Sequence, residues 1–182
     1  MHGSEPVSPW LRRWAHLLRP GGSVLDVACG HGRHLRWLAQ QGHVVTGVDR
    51  SPQALAALQG LARLVLADLE NGPWPFADEL FDAVLVTNYL WRPLLPRLTA
   101  SLAPAGVLIY ETFSAGHETV GRPSRPEFLL QPGELLQVCA GLRIVAFEDG
   151  FCQQPPRFVQ RVVALRAPVQ DAPARYALDA TE

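Results

Sequence analysis

Residues Val24-Leu25-Asp26-Val27-Ala28-Cys29-Gly30-His31-Gly32-Arg33-His34-Leu35 decide how this chain folds. An apolar run of strand length enters a turn with two glycines, then a stretch with leucine at helical spacing. A strand that passes through a glycine turn into a helix is the opening unit of an open α/β sheet. Glycine is required in such a turn where a ligand comes too close to the backbone for a side chain. A nucleotide-type ligand is therefore expected over residues 28–32. A dinucleotide such as NAD or NADP, the ligand of an oxidoreductase, requires G-x-G-x-x-G/A, whose third small residue lets helix and strand close over a pyrophosphate. Here that third position is Leu35, and Asp26 just before the turn repels a diphosphate and attracts an ammonium group.

Working outward, short β-branched runs alternate with helical stretches, the pattern of a parallel sheet covered on both faces. The strands are expected at residues 23–27, 43–48, 62–66, 82–87, 106–112, 142–148 and 160–166. Helices are expected at 10–18, 33–40, 52–61, 90–101 and 132–139, with Gly42 and Gly141 as terminators. Pro93 and Pro96 would break a helix interior, so the regular part of the fourth helix is expected to start at Pro96. Residues 113–130, rich in Gly, Pro, Ser and Arg, read as a functional loop or lid beside the site. Residues 1–166 form the expected domain, and 167–182 a polar, alanine-rich tail outside the sheet.

Composition narrows the chemistry. At 182 residues the chain suits one domain with its own core. All 16 basic residues are arginine, so Schiff-base chemistry and a phosphate-loop lysine are excluded. A net charge of -1 offers no broad basic field for nucleic acid, although a local arginine cluster could hold a small anion. Cys29, Cys139 and Cys152 form no CxxC pair and have no histidine at ligand spacing, so no metal site is expected. With no membrane-spanning run and no apolar leader, a cytoplasmic protein is expected, monomeric or homodimeric, with a small-molecule substrate.

The first motif resembles that of the class I S-adenosylmethionine-dependent methyltransferases, hhD-h-(G/A)-C-G-x-G. The resemblance implies a Rossmann-like, seven-stranded, mostly parallel sheet with helices on both faces and the last strand antiparallel. It implies S-adenosylmethionine as cofactor, released as S-adenosylhomocysteine, and contacts to it from Asp26, Ala28, Cys29, Gly30 and Gly32. Arg33 and His34 open the following helix, where donors meet a cofactor carboxylate; Arg33 is the stronger candidate. Asp49 ends the second strand 19 residues after Gly30, placed to accept both ribose hydroxyls, with Arg50 beside it. That spacing alone also fits a dehydrogenase, and the resemblance points it to ribose. Ser51 before Pro52 reads as the helix cap. By the same resemblance Asp68 accepts from the adenine amine and Leu69 offers its backbone amide. Asn88 and Tyr89 should face the sulfonium.

Methyl transfer from a sulfonium releases a neutral thioether and needs no acid, so alignment and exclusion of water carry most of it. The turn Thr87-Asn88-Tyr89-Leu90 lacks the Asn/Asp-Pro-Pro-Tyr/Phe pattern of amine methyltransferases, which leaves a small soluble acceptor. Residues 108–113, 116–118 and 121–130 look like a small bacterial branch related to tellurite-resistance methyltransferases. Arg92, Arg122 and Arg125 are expected to converge on an anionic or metalloid-oxyanion acceptor, the alternative being that Arg122 and Arg125 anchor their loop to carboxylates such as Glu127. His117 and Glu111 are the candidate bases, and Tyr89 a further candidate catalytic residue. Cys29 reads as a packing residue rather than a nucleophile, and Trp10 and Trp14 as a packed face. A non-catalytic cofactor-binding protein stays open, since such motifs report binding and not turnover.

Overall fold

In the computed structural model, which describes residues 6–167 and 175–178, seven strands form one sheet in the order β3-β2-β1-β4-β5-β7-β6. The strands are β1 (Ser23–Val27), β2 (Val44–Asp49), β3 (Arg63–Leu66), β4 (Phe81–Thr87), β5 (Leu102–Phe113), β6 (Arg143–Gln153) and β7 (Pro156–Leu165). Pairing is parallel from β3 to β5, and β7, inserted between β5 and β6, runs antiparallel to both. The order reverses between β1 and β4, which opens a crevice at their carboxyl ends, where sheets of this kind bind ligands.

The helices are α1 (Pro9–Trp14), α2 (Arg33–Gln40), α3 (Pro52–Ala56), α4 (Leu95–Ala100) and α5 (Glu134–Val138). Alternation along each strand divides the core between the two faces. On one face Val84, Val86, Leu108 and Tyr110 pack with Leu98 of α4 and Leu135 of α5. On the other, Ala83, Leu85, Val107 and Ile109 pack with Trp10 and Trp14 of α1, Leu35 and Leu38 of α2 and Leu55 of α3. Trp10 and Trp14 thus form a packed face, their rings 5.7 Å apart.

Element boundaries shift for local reasons. α1 stops at Trp14 and continues as a 3-10 turn, Ala15–Leu17. α3 stops at Ala56, and Leu58 leaves the helical path to fill the space over Gly32. Pro93 opens a 3-10 turn, Arg92–Leu94, and Pro96 stands in the first turn of α4, where its missing N–H costs nothing. β6 and β7 run past the apolar stretches into a long hairpin, because backbone pairing carries Glu148-Asp149-Gly150 where hydrophobicity does not. In the expected tail, residues 168–174 and 179–182 lie outside the described residues. Tyr176 lies under the Arg143 guanidinium, and the Ala177 carbonyl is 3.0 Å from His16 Nε2.

Candidate functional site: the crevice at the carboxyl ends of β1 and β4

At the ends of β1 and β4 the chain turns sharply, with Ala28 (φ 54°) and Asn88 (φ 55°) both left-handed. Gly30 is left-handed as well, and a Cβ there would meet nothing within 4 Å, so its backbone faces open space. Gly32 differs: a Cβ would fall 2.4 Å from Leu58, so this glycine serves the packing of the turn. Cys29 is turned away from the crevice against Gly47 and lines neither cavity described below; burial pushes its thiol up, out of the reactive range.

Asp26 is almost fully buried, and its Oδ2 has no hydrogen-bond partner. Burial pushes its carboxyl up to about 8, opposed by the Arg33 guanidinium. His34 Nδ1 lies 3.9 Å from Asp26 Oδ2 and 3.4 Å from Thr87 Oγ1, and its Nε2 accepts from the Ser8 amide at 3.2 Å. That amide fixes the ring hydrogen on Nδ1, and burial holds the imidazole neutral, down at about 3. His34 is therefore a buried link, while Arg33 lines the larger cavity and donates to the Pro6 carbonyl at 3.3 Å.

Asp49 Oδ2 accepts from Gly30 N at 2.8 Å and Oδ1 from Ser51 N at 2.9 Å, so backbone amides from two elements fix the carboxylate at the crevice. It lines a cavity of about 140 Å³ with Ala28, Arg50, Asp68, Leu69 and Tyr89. Asp68 accepts from the Asn71 side chain and the Glu70 and Asn71 amides, which hold its carboxyl below the usual range. Arg50 reaches Glu70 at 4.0 Å. Tyr89 also borders the neighbouring cavity beside Asn88, and burial pushes its phenol up, so it stays protonated.

Beyond Asn88 opens a second cavity of about 660 Å³, lined by Arg33, Glu111, His117, Arg122 and Arg157, with Pro6 and Ser8 at the start of α1. The expected convergence of three arginines is not what forms. Arg92 makes two bonds to Glu134, at 2.7 and 2.9 Å, and others to the Glu127 and Leu129 carbonyls. Arg125 pairs with Glu127 and lies over Phe128, exposed. Both tie down residues 113–130, as the alternative reading has it for Arg125; Arg122 alone of the three lines the cavity. The loop stands beside the site, closed at its base by the Ser114–Leu130 bridge.

Neither candidate base lines the cavity in a free state. Glu111 is buried: Oε1 accepts from Ser8 Oγ at 2.5 Å, and Oε2 lies 2.8 Å from Arg161 Nε and 3.9 Å from Arg157. His117 is not a solvated loop residue. Its Nε2 meets the Arg122 carbonyl at 3.0 Å, its ring stacks on Phe113 at 4.3 Å, and Nδ1 is buried without a partner. Sequence reasoning missed Ser8, Arg157 and Arg161. The double proline before Arg157 marked a turn, but nothing in the chain order placed that turn at the crevice.

Among the described residues no cluster of His, Cys, Asp and Glu could hold a metal, and no helix is long and apolar enough to cross a membrane. The features that are present suit S-adenosylmethionine. Asp26 Oδ2 lacks the partner an ammonium would supply, the Gly30 backbone is open, and Asp49 and Asp68 line the smaller cavity.

Comparison with known proteins agrees. Residues 24–106 match the family model described as a methyltransferase domain. A trans-aconitate 2-methyltransferase from Delftia acidovorans is 34% identical over 134 residues, 65% of this chain; the chain spans 50% of that protein's length. Among solved structures, a SAM-dependent methyltransferase from Methanosarcina mazei superposes with a TM-score of 0.70 at 16% identity, over 90% of this chain and 100% of that one. A TehB-like SAM-dependent methyltransferase from Corynebacterium glutamicum gives 0.66 at 23%, over 90% of each. Strand order and crevice are those of a Rossmann-like α/β sheet, and within it residues 24–106 are similar to a methyltransferase domain.

Proposed function

We propose that the protein is an S-adenosylmethionine-dependent methyltransferase acting on a small anionic acceptor, a carboxylate or a metalloid oxyanion. One observation carries the acceptor reading. The cavity beyond Asn88 is lined by Arg33, Arg122 and Arg157, and among its described lining residues the one carboxylate, Glu111, is ion-paired with Arg161. With no uncommitted carboxylate among those lining residues, the Arg122 and Arg157 guanidiniums suit a carboxylate or oxyanion. The Delftia relative's name, a trans-aconitate methyltransferase, points the same way.

Bound S-adenosylmethionine supplies a methyl group on a cationic sulfur, already activated for displacement. The chain's own residues hold and align. Asp26 takes the ammonium, Asp49 the ribose hydroxyls and Asp68 the adenine amine, while Asn88 and Tyr89 stand between the cofactor pocket and the acceptor cavity. Residues 6–9 and the 113–130 loop border the reacting end and limit water there. Alignment of this kind can supply about 7–11 kcal/mol of a barrier. Leu35 speaks against the dinucleotide alternative, because it fills the place where helix and strand would close over a pyrophosphate.

Calorimetry on ligand-stripped protein tests the cofactor: S-adenosylmethionine and S-adenosylhomocysteine bind at about micromolar Kd, near -8 kcal/mol, and NAD and NADP do not. Dinucleotide binding overturns the reading. S-adenosylhomocysteine formation with small carboxylates, tellurite and selenite then tests the acceptor class, and turnover of neutral acceptors alone overturns it.

A further inference from the structure

We propose that Arg157 is the acceptor-anchoring residue and that the acceptor is a small di- or tricarboxylate, one carboxylate held by Arg157 while another is methylated to its methyl ester. This rests on the crevice being an S-adenosylmethionine site.

Arg157 is the second residue of β7, just after Pro155 and Pro156, and its side chain is 18% exposed. Its nearest carboxylate, Glu111 Oε2, is 3.9 Å away, too far for a hydrogen bond, and its Nε is buried with no hydrogen-bond partner. Glu111 is already drawn to Arg161 at 2.8 Å, and Arg161 also has Glu148 at 3.1 Å. Arg161 Nε likewise lacks a hydrogen bond, but Arg161 has carboxylates on two sides and donates to Glu148 and Cys152, whereas among the described residues Arg157 has only the 3.9 Å approach of Glu111, a charge that the fold leaves under-compensated. A buried guanidinium with an unmade hydrogen bond costs free energy until an anion arrives, and its planar fork matches the two oxygens of a carboxylate.

A carboxylate clamped on a guanidinium has its charge drawn off and is a poor nucleophile, so the group that takes the methyl is a second one. That second group must reach the cavity already ionised. Glu111 is engaged by Arg161 and Ser8, His117 Nε2 faces the Arg122 carbonyl with Nδ1 buried, and the Tyr89 phenol stays protonated. None of these described groups is a free base. Carboxylates, with ordinary pKa near 4, are ionised at neutral pH without one; alcohols, amines and thiols largely are not. A single metalloid oxyanion would have to serve as anchor and nucleophile at once, and would leave most of a cavity of about 660 Å³ unfilled. In the step, a carboxylate oxygen bonds to the methyl carbon as the carbon–sulfur bond breaks. The bonding pair stays on sulfur and no proton is transferred.

The test uses the full chain saturated with S-adenosylmethionine and offers malonate, succinate, glutarate, fumarate and citrate beside acetate, butyrate, tellurite and selenite. At least one di- or tricarboxylate should yield S-adenosylhomocysteine and an ester that alkali cleaves to methanol. Arg157→Gln should raise its KM about tenfold or more, with kcat and S-adenosylhomocysteine affinity nearly unchanged. Arg157→Lys, which keeps the charge and loses the fork, should fall between and serves if the glutamine variant does not fold. Monocarboxylates used equally well, an alkali-stable product, an unchanged KM in Arg157→Gln, or no turnover of these five acids by protein that binds S-adenosylhomocysteine would each overturn the inference and leave the cofactor reading standing. Wild-type protein that binds no S-adenosylhomocysteine overturns both.

Discussion

Leu35 at the start of α2 and Gly47 in β2 fit each other: a Cβ on Gly47 would fall 2.5 Å from Leu35 Cδ1 and 2.9 Å from Cys29 Sγ. The missing side chain on one strand is what admits a leucine where a dinucleotide turn needs a small residue. Gly47→Ala should therefore cost about 1–3 kcal/mol by overpacking, measured by urea unfolding. The same change in a Leu35→Ala background should cost clearly less, since the clash is with that side chain. Equal costs in both backgrounds would show the two sites to be uncoupled.

Asp49 is held by two backbone amides with its carboxylate at the crevice. Asp49→Ala should weaken S-adenosylhomocysteine binding by about 2 kcal/mol or more, because a charge-assisted pair of bonds to the ribose is lost. Calorimetry reads this directly, and binding within twofold of wild type would remove Asp49 from the site.

Asp26 should make cofactor binding pH-dependent. Its folded pKa, about 8, lies above the ordinary 3.8, so the ligand-free fold holds a proton that the unfolded chain has lost. Stability from this group therefore falls as pH rises from about 4 to about 8. His34, lowered from 6.5 to about 3, contributes the opposite slope below 6.5, so only the Asp26 slope remains between 6.5 and 8. An arriving ammonium favours the carboxylate, so cofactor binding should release up to one proton near pH 7 and tighten toward pH 8. Calorimetry in two buffers of different ionisation enthalpy measures the release; Asp26→Asn should abolish it.

Glu111 is the shared counter-charge of Arg157 and Arg161. Glu111→Gln leaves two largely buried guanidinium groups without it and should destabilise the fold by about 3–5 kcal/mol, seen as a lowered denaturation midpoint. A variant as stable as wild type would mean that the pair contributes nothing to holding β5 to β7.

Arg92 ties Glu134 of α5 to the backbone of the 113–130 loop. Arg92→Ala should speed proteolysis within that loop while leaving S-adenosylhomocysteine affinity within about twofold, since Arg92 lines neither cavity. A large loss of affinity would place it in the site.

The sequence by itself determined the strand–turn–helix at 24–35, the α/β alternation and the acids at 26, 49 and 68, because period, glycine and strand-end position are local properties that neighbours in the chain express. It misjudged where the arginines go. Arg92, Arg122 and Arg125 look alike in the sequence, yet Glu134 and Glu127 take up two of them, and those partners are chosen by packing. Arg157 lies 46 residues from Glu111 in the chain and came to the cavity only because β7 inserts beside β5, pairing Glu111 with Arg161 across the sheet. Which charges meet, and which stay uncompensated, depends on strand order and register, and so was decided by the tertiary structure.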